Sequence, residues 1–249
     1  MPIFGELAAE SVAARLPTLP SFDAPAWTLP GAEILQLAFE VGERTRALLP
    51  RAMHPAIPAY ATWVVACYPE SPVGPFVLAQ LRLMGRAGAH PRGYVLAAYA
   101  STPDAVRGLR EGWGFPAALG SVALRRYHDR VVASVARDGE RILEAALVGP
   151  EPISGADVQY IHSVVLARVE DAGRPSLTLV QIDPLYTFHR AERGRPSVST
   201  FDRGAWHAEG LDLLHPIAAS LCACDTDLPQ IRFIMDPETP VVRGTRRIR

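Results

Sequence analysis

AVRGLREGWGFPAALG, residues 105–120, carries a helical signal in its first half and an extended one in its second. Thr102 is placed to cap the helix, Pro103 suits its first turn, and Asp104 complements the positive end of the helix dipole. Gly112 and Gly114 end it, which sets the helix at Thr102–Trp113, and Gly-Phe-Pro then reads as a turn. The chain around this helix alternates in the short period of strands. Runs rich in β-branched and aromatic residues occupy Tyr60–Tyr68, Pro75–Leu83, Gly93–Ala100, Val131–Ala136, Glu140–Val148, Tyr160–Glu170 and Ser176–Asp183. So many short runs with one embedded helix predict an α+β, mainly β fold, a curved antiparallel or mixed β-barrel with a few peripheral helices.

Upstream, Gly5–Leu16 reads as an amphipathic helix, followed by a passage broken by Pro17, Pro20, Pro25 and Pro30. Repeated loss of backbone donors favours extended loop there, so residues 1–32 are expected to form a wrapping arm. A strand over Glu33–Phe39, a helix over Val41–Leu49, a second helical passage over Arg203–Leu214 and a closing strand over Gln230–Met235 complete the expectation. Neither a repeat nor a long linker divides the chain, and residues 1–249 are read as one domain.

The 249 residues are 49% apolar and 20% charged, a folded protein with ample material for a core. Basic and acidic residues number 25 and 26, so no cationic excess exists to neutralise a row of phosphates, and nucleic acid is not expected as a partner. No apolar run reaches the ~18 residues of a membrane span, and nothing at the start resembles a signal peptide. With three cysteines, at 67, 222 and 224, a reducing cytoplasm is expected rather than export. Every basic residue is an arginine, a bias that GC-rich codon usage explains and that excludes any lysine Schiff base. The seven histidines show no metal-ligand spacing, and no glycine-rich phosphate cradle or GxSxG elbow occurs, so neither metal nor cofactor is expected.

Arg110 and Glu111 followed by Phe115, Pro116, Leu119 and Gly120 resemble the acetoacetate decarboxylase family, whose Gly-Arg-Glu signature precedes an aromatic-Pro-Lys-Lys-Leu-Gly run. The similarity extends to Gly74–Leu83, to Ala167–Val180 and to Phe201–Pro216. It implies a closed or nearly closed β-barrel that assembles into homo-oligomers. The family's chemistry is not carried over. Its Schiff-base lysine falls on Ala117 and the second lysine on Ala118, its two glutamates fall on Trp63 and Leu78, and its substrate-gripping arginine falls near Gly31. An imine mechanism needs a deprotonated primary amine, and no lysine exists here to supply one; at the chain start, removal of Met1 would expose Pro2, whose secondary amine could act as a nucleophile or base.

Alternation along Phe76–Leu83 places Val77, Ala79, Leu81 and Leu83 on one apolar face. Phe76, Leu78, Gln80 and Arg82 occupy the other, a wall grading from apolar to polar. Trp63, Leu78, Phe115 and Ala117 are expected to line one apolar cavity with Phe76, Gln80 and Trp113, a substrate site for a hydrophobic small molecule. Arg110, Glu111 and His162 are the candidate polar catalysts, His162 entering the barrel from the Tyr160–Val164 alternation. These features predict a lysine-independent enzyme of natural-product, in particular polyketide, biosynthesis. It would promote cyclisation, dehydration or isomerisation of a carbonyl-containing substrate without a covalent intermediate. The alternative is a non-catalytic binding or carrier protein using the same cavity.

Overall fold

The computed structural model describes residues 3–171 and 174–249. Pro2, and residues 172–173 within the Ala167–Val180 stretch, lie outside them. All sixteen described strands join one curved mixed sheet. Its ladder runs in the order Thr245–Arg247, Phe233–Met235, Arg174–Ile182, Ser163–Asp171, His90–Ala100, Phe76–Ala87, Tyr60–Tyr68, Trp27–Val41, Leu213–Leu228, Leu185–Phe201, Glu140–Ile153, Arg130–Arg137 and Ser121–Arg126. The hydrogen-bonded path is open, and the sheet is barrel-like in its curvature. Most neighbours are antiparallel. Parallel pairing joins Ser163–Val164 to Gly93–Tyr94, Thr18–Leu19 to Arg168–Val169, and Ala117–Leu119 to Ala98–Ala100.

The central strands are buried on both faces, so each alternation feeds a different core. Leu35, Leu37, Trp63, Val65, Ala79, Leu81 and Leu83 point into one. Ile34, Val64, Ala66, Phe76 and Leu78 point into the other, which the helix Pro103–Trp113 covers with Ala105, Leu109 and Trp113. The register accounts for this division. Trp63 pairs with Leu81 and Leu37, whereas Ala66 pairs with Leu78 and Ile34.

Several expectations change. The central strand begins at Trp27, not Glu33, and therefore takes in the last residues assigned to the arm. Pro30 is accommodated because Ala32 pairs with Cys224 and Leu29 with Thr226, leaving a bulge between them. Gly31 there adopts φ +65°, and its N–H donates to Asp225 Oδ1 at 2.8 Å. The helices expected over Gly5–Leu16 and Val41–Leu49 are 3-10 turns, Ala9–Arg15 and Glu43–Leu48.

The expected helix at Arg203–Leu214 is a series of turns with His207 at φ 51° and Gly210 at φ +88°. These turns drop Trp206, Ala208 and Leu211 into the first core, where the Trp206 indole donates to the Ile142 carbonyl at 3.2 Å. The closing strand shortens to Phe233–Met235, and the Tyr160–Glu170 strand starts at Ser163. His162 therefore stands before the strand rather than on its inner face. The long strands Leu185–Phe201 and Leu213–Leu228 have no counterpart in the sequence expectation. No helix among the described residues is long and apolar enough to cross a membrane.

Candidate functional site

The helix delivers one wall of a cavity. The Thr102 hydroxyl accepts from Ala105 N–H at 3.3 Å and fixes the helix start. At the far end Gly114, at φ +72°, donates to the Arg110 carbonyl at 3.0 Å while Phe115 N–H reaches the Leu109 carbonyl at 3.2 Å. A side chain at 114 would meet Ala167 Cβ at 2.8 Å, so glycine is demanded twice, by φ and by space. This reversal turns Leu109 and Phe115 toward the same side, and both line the cavity.

Opposite them stand Phe76, Leu78, Gln80 and Arg82, the graded face of the Phe76–Ala87 strand, with Trp27, Leu29, Ile182 and Leu228 completing the apolar part. Tyr68, Ser163, Tyr186 and Thr226 add hydroxyls. The cavity is a narrow slot with a volume of about 30 Å³. The slot has an apolar body with a few convergent polar groups, the usual make-up of a small-molecule site.

Inside it, Arg82 Nε donates to Gln80 Oε1 at 2.9 Å and Nη1 to the Ile161 carbonyl at 3.2 Å. Burial lowers the affinity of this guanidinium for its proton, an effect the neighbouring tyrosines oppose. Burial also raises the phenols, Tyr186 to about 12 and Tyr68 further, which keeps both protonated as donors.

His162 lies in an open cleft that shares Pro184 and Tyr186 with the cavity. Its Nδ1 is 3.0 Å from Asp183 Oδ1, and Arg92 Nη1 approaches the same oxygen at 2.9 Å. Arg92 Nη2 donates to Gln181 Oε1 at 3.0 Å. Burial raises the Asp183 carboxyl, but the His162 hydrogen bond and the Arg92 charge outweigh it, and the group titrates below the ordinary carboxylate value. An imidazole held by a carboxylate on one nitrogen presents the other for proton transfer.

The remaining sequence candidates separate. Trp63 does not share the cavity with Leu78; it lies on the opposite face of the sheet, edge-on to Phe39 and Phe201 with ring centres 5.8 and 4.9 Å away. Ala117 and Trp113 are packed behind the cavity wall. Ala117 pairs with Ala98, and the Trp113 indole donates to the Pro229 carbonyl at 2.8 Å. Arg110 and Glu111 face a different cleft beside Thr18 and Arg168, where Arg110 Nη1 donates to the Ala117 carbonyl at 3.1 Å. That contact braces the segment after the helix.

The sequence candidates omit Asp183, Tyr68, Tyr186 and Ser163. For Asp183 a signal existed. The expected strands Tyr160–Glu170 and Ser176–Asp183 form a hairpin, and its register, continued one step past the Ser163–Ile182 pair, sets His162 opposite Asp183.

The structure is thus a curved, mainly β fold with a donor-lined apolar slot between its sheet and the Pro103–Trp113 helix. The acetoacetate decarboxylase family model matches residues 15–236, and the chain belongs to that family. No functionally curated protein gives a match. Among solved structures, the chain is similar to acetoacetate decarboxylase from Legionella pneumophila, at 19% identity and TM-score 0.73 over 84% of this chain and 86% of that one. It is also similar to the enduracididine biosynthesis enzyme MppR in complex with the condensation product of pyruvate and imidazole 4-carboxaldehyde. That match has 16% identity and TM-score 0.69 over 84% and 89%. A third, an acetoacetate decarboxylase-like enzyme from Sphingomonas wittichii RW1, matches at 15% identity and TM-score 0.66 over 84% and 92%.

Proposed function

We propose that the chain is a lysine-independent enzyme of natural-product biosynthesis that holds a hydrophobic, carbonyl-containing small molecule, polyketide-like in character, in the slot. There it promotes cyclisation, dehydration or isomerisation without a covalent intermediate. The observation that carries this reading is the Asp183-held His162 beside a slot that contains hydrogen-bond donors and no amine nucleophile. His162 Nε2 would take a proton from the carbon next to the carbonyl. The Gln80 amide and the Ser163 hydroxyl would donate to the oxygen as charge develops on it. General-base assistance of this kind supplies about 10²–10⁴-fold. MppR, an enduracididine biosynthesis enzyme similar to this chain in fold, supports the biosynthetic part of the reading.

The test uses a generic ketone, 2-heptanone, in deuterated buffer, with exchange of its α-protons followed by NMR. Wild type is expected to accelerate exchange over buffer, and His162→Gln to lose that acceleration by about 10²-fold or more. Borohydride added to the mixture should leave the protein mass unchanged. Exchange at the buffer rate with the wild-type protein sinks the enzyme reading in favour of a binder, and trapped covalent mass sinks lysine independence.

A further inference from the structure

The slot contains a cation that the protein itself does not neutralise. Arg82 is only 6% exposed, and both of its hydrogen bonds go to neutral acceptors, the Gln80 amide oxygen and the Ile161 carbonyl. None of the residues lining the slot is an aspartate or glutamate. The neighbouring buried arginine is treated differently: Arg92, one strand over, is paired with Asp183 at 2.9 Å. A lone buried charge is costly unless something pairs with it. Arg82 Nη2 hydrogen-bonds no described residue, and neither does the hydroxyl of Tyr68 or of Tyr186, which line the same slot.

Three donors from three strands or their edges thus converge with no acceptor supplied. We propose that Arg82, Tyr68 and Tyr186 form an anion subsite that takes the carboxylate of a small molecule whose slender apolar tail lies along Leu78 and Phe76. The proposal rests on the reading of this slot as the ligand site and names its ligand's charge. A single guanidinium matches a monoanion, and the surrounding leucines and aromatic rings disfavour a hydrated dianion such as phosphate. Length also fits. Strand rise separates Arg82 from Leu78 by about 13 Å and from Phe76 by about 20 Å, room for an unbranched chain but, in so narrow a slot, not for a branched one.

The experiment compares hexanoate with its neutral isostere hexanamide by calorimetric titration of the full chain. Hexanoate should bind wild type at least about tenfold more tightly than hexanamide. Arg82→Met should reduce that preference to within about twofold. Tyr68→Phe and Tyr186→Phe remove only a hydroxyl with no described partner. Each should therefore weaken hexanoate severalfold and hexanamide by clearly less, since a carboxylate is the stronger acceptor, and this loss of preference decides the matter should Arg82→Met fail to fold. Equal affinity for the two ligands in wild type overturns the anion subsite while leaving the slot as a ligand site. Binding of neither overturns both.

Discussion

Gly108 and Gly112 lie one turn apart on the helix Pro103–Trp113, and the same substitution at the two positions isolates one contact. A Cβ on Gly108 would stand 2.6 Å from Trp27 Cη2 and 2.7 Å from Cζ2, about 1 Å inside ordinary carbon contact. On Gly112 its nearest neighbour would be Ala24 Cβ at 3.5 Å, a normal contact. The Trp27 ring cannot retreat freely, because Trp113 stands edge-on to it at 4.9 Å and Phe76 at 6.3 Å.

Both substitutions gain helix propensity, up to about 1 kcal/mol and less near the helix end. Only Gly108→Ala adds overpacking, about 1–3 kcal/mol. The expected net is a stabilisation of up to about 1 kcal/mol for Gly112→Ala and a destabilisation of about 0–2 kcal/mol for Gly108→Ala. At this chain length 1 kcal/mol corresponds to roughly 2–4 °C in Tm, so calorimetric melts resolve the gap. Trp27 also lines the slot, and its displacement should weaken hexanoate binding in Gly108→Ala alone. Equal Tm shifts of the same sign in both variants would refute the claim that Gly108 is there to seat the indole.

Two further outcomes follow from buried titratable groups. The Asp183 carboxyl titrates below its ordinary value in the folded state, so its stabilising contribution is present above the unfolded pKa and is lost as pH falls through the folded one. Asp183→Asn should therefore cost about 1–3 kcal/mol at pH 7, with the wild-type and variant melting curves converging in acid; a difference that widens in acid contradicts the pairing. Burial pushes the Cys224 thiol up to about 11 and raises Cys222, whereas Cys67, raised by burial and by Glu33, is half-exposed. A thiol reagent at neutral pH should label Cys67 slowly and the other two only after denaturation, as mass spectrometry of the native protein would show.

Legibility in the sequence tracked how local the determining physics is. Tyr60–Tyr68 is an uninterrupted apolar and β-branched run, and its limits were readable to the residue. The helix announced itself through Thr102, Pro103 and Gly114, each acting within one turn. Leu185–Phe201 was not readable. Its outer face carries His189, Arg190, Arg193 and Arg195, Gly194 and Pro196 interrupt it, and what holds it extended is a distant partner, Leu213–Leu228. At Arg203–Leu214 apolar spacing mimicked a helix because Trp206, Ala208 and Leu211 all face one core through turns instead.

The site divided in the same way. Alternation along Phe76–Arg82 is local, and it placed Phe76, Leu78 and Gln80 on one wall. The face chosen by Trp63 depends on which side of the sheet the cavity occupies, and no single strand records that. Neither could it show that Arg110 turns back on its own chain at Ala117, a consequence of the Gly114 reversal.

The two-faced burial of the Phe76–Ala87 and Tyr60–Tyr68 strands separates inheritance of shape from inheritance of specificity. Odd-numbered positions such as Trp63, Val65, Ala79 and Leu81 close one core, while Leu78, Gln80 and Arg82 border the slot on the opposite side. A lineage can therefore rewrite every second residue of one strand and acquire a new ligand while the intervening residues keep the sheet intact. For a protein engineer the same spacing defines a compact library at 76, 78, 80 and 82 with 77, 79, 81 and 83 held constant, in which truncation of the buried Phe76 or Leu78 costs about 2–5 kcal/mol and so limits how many positions can change at once.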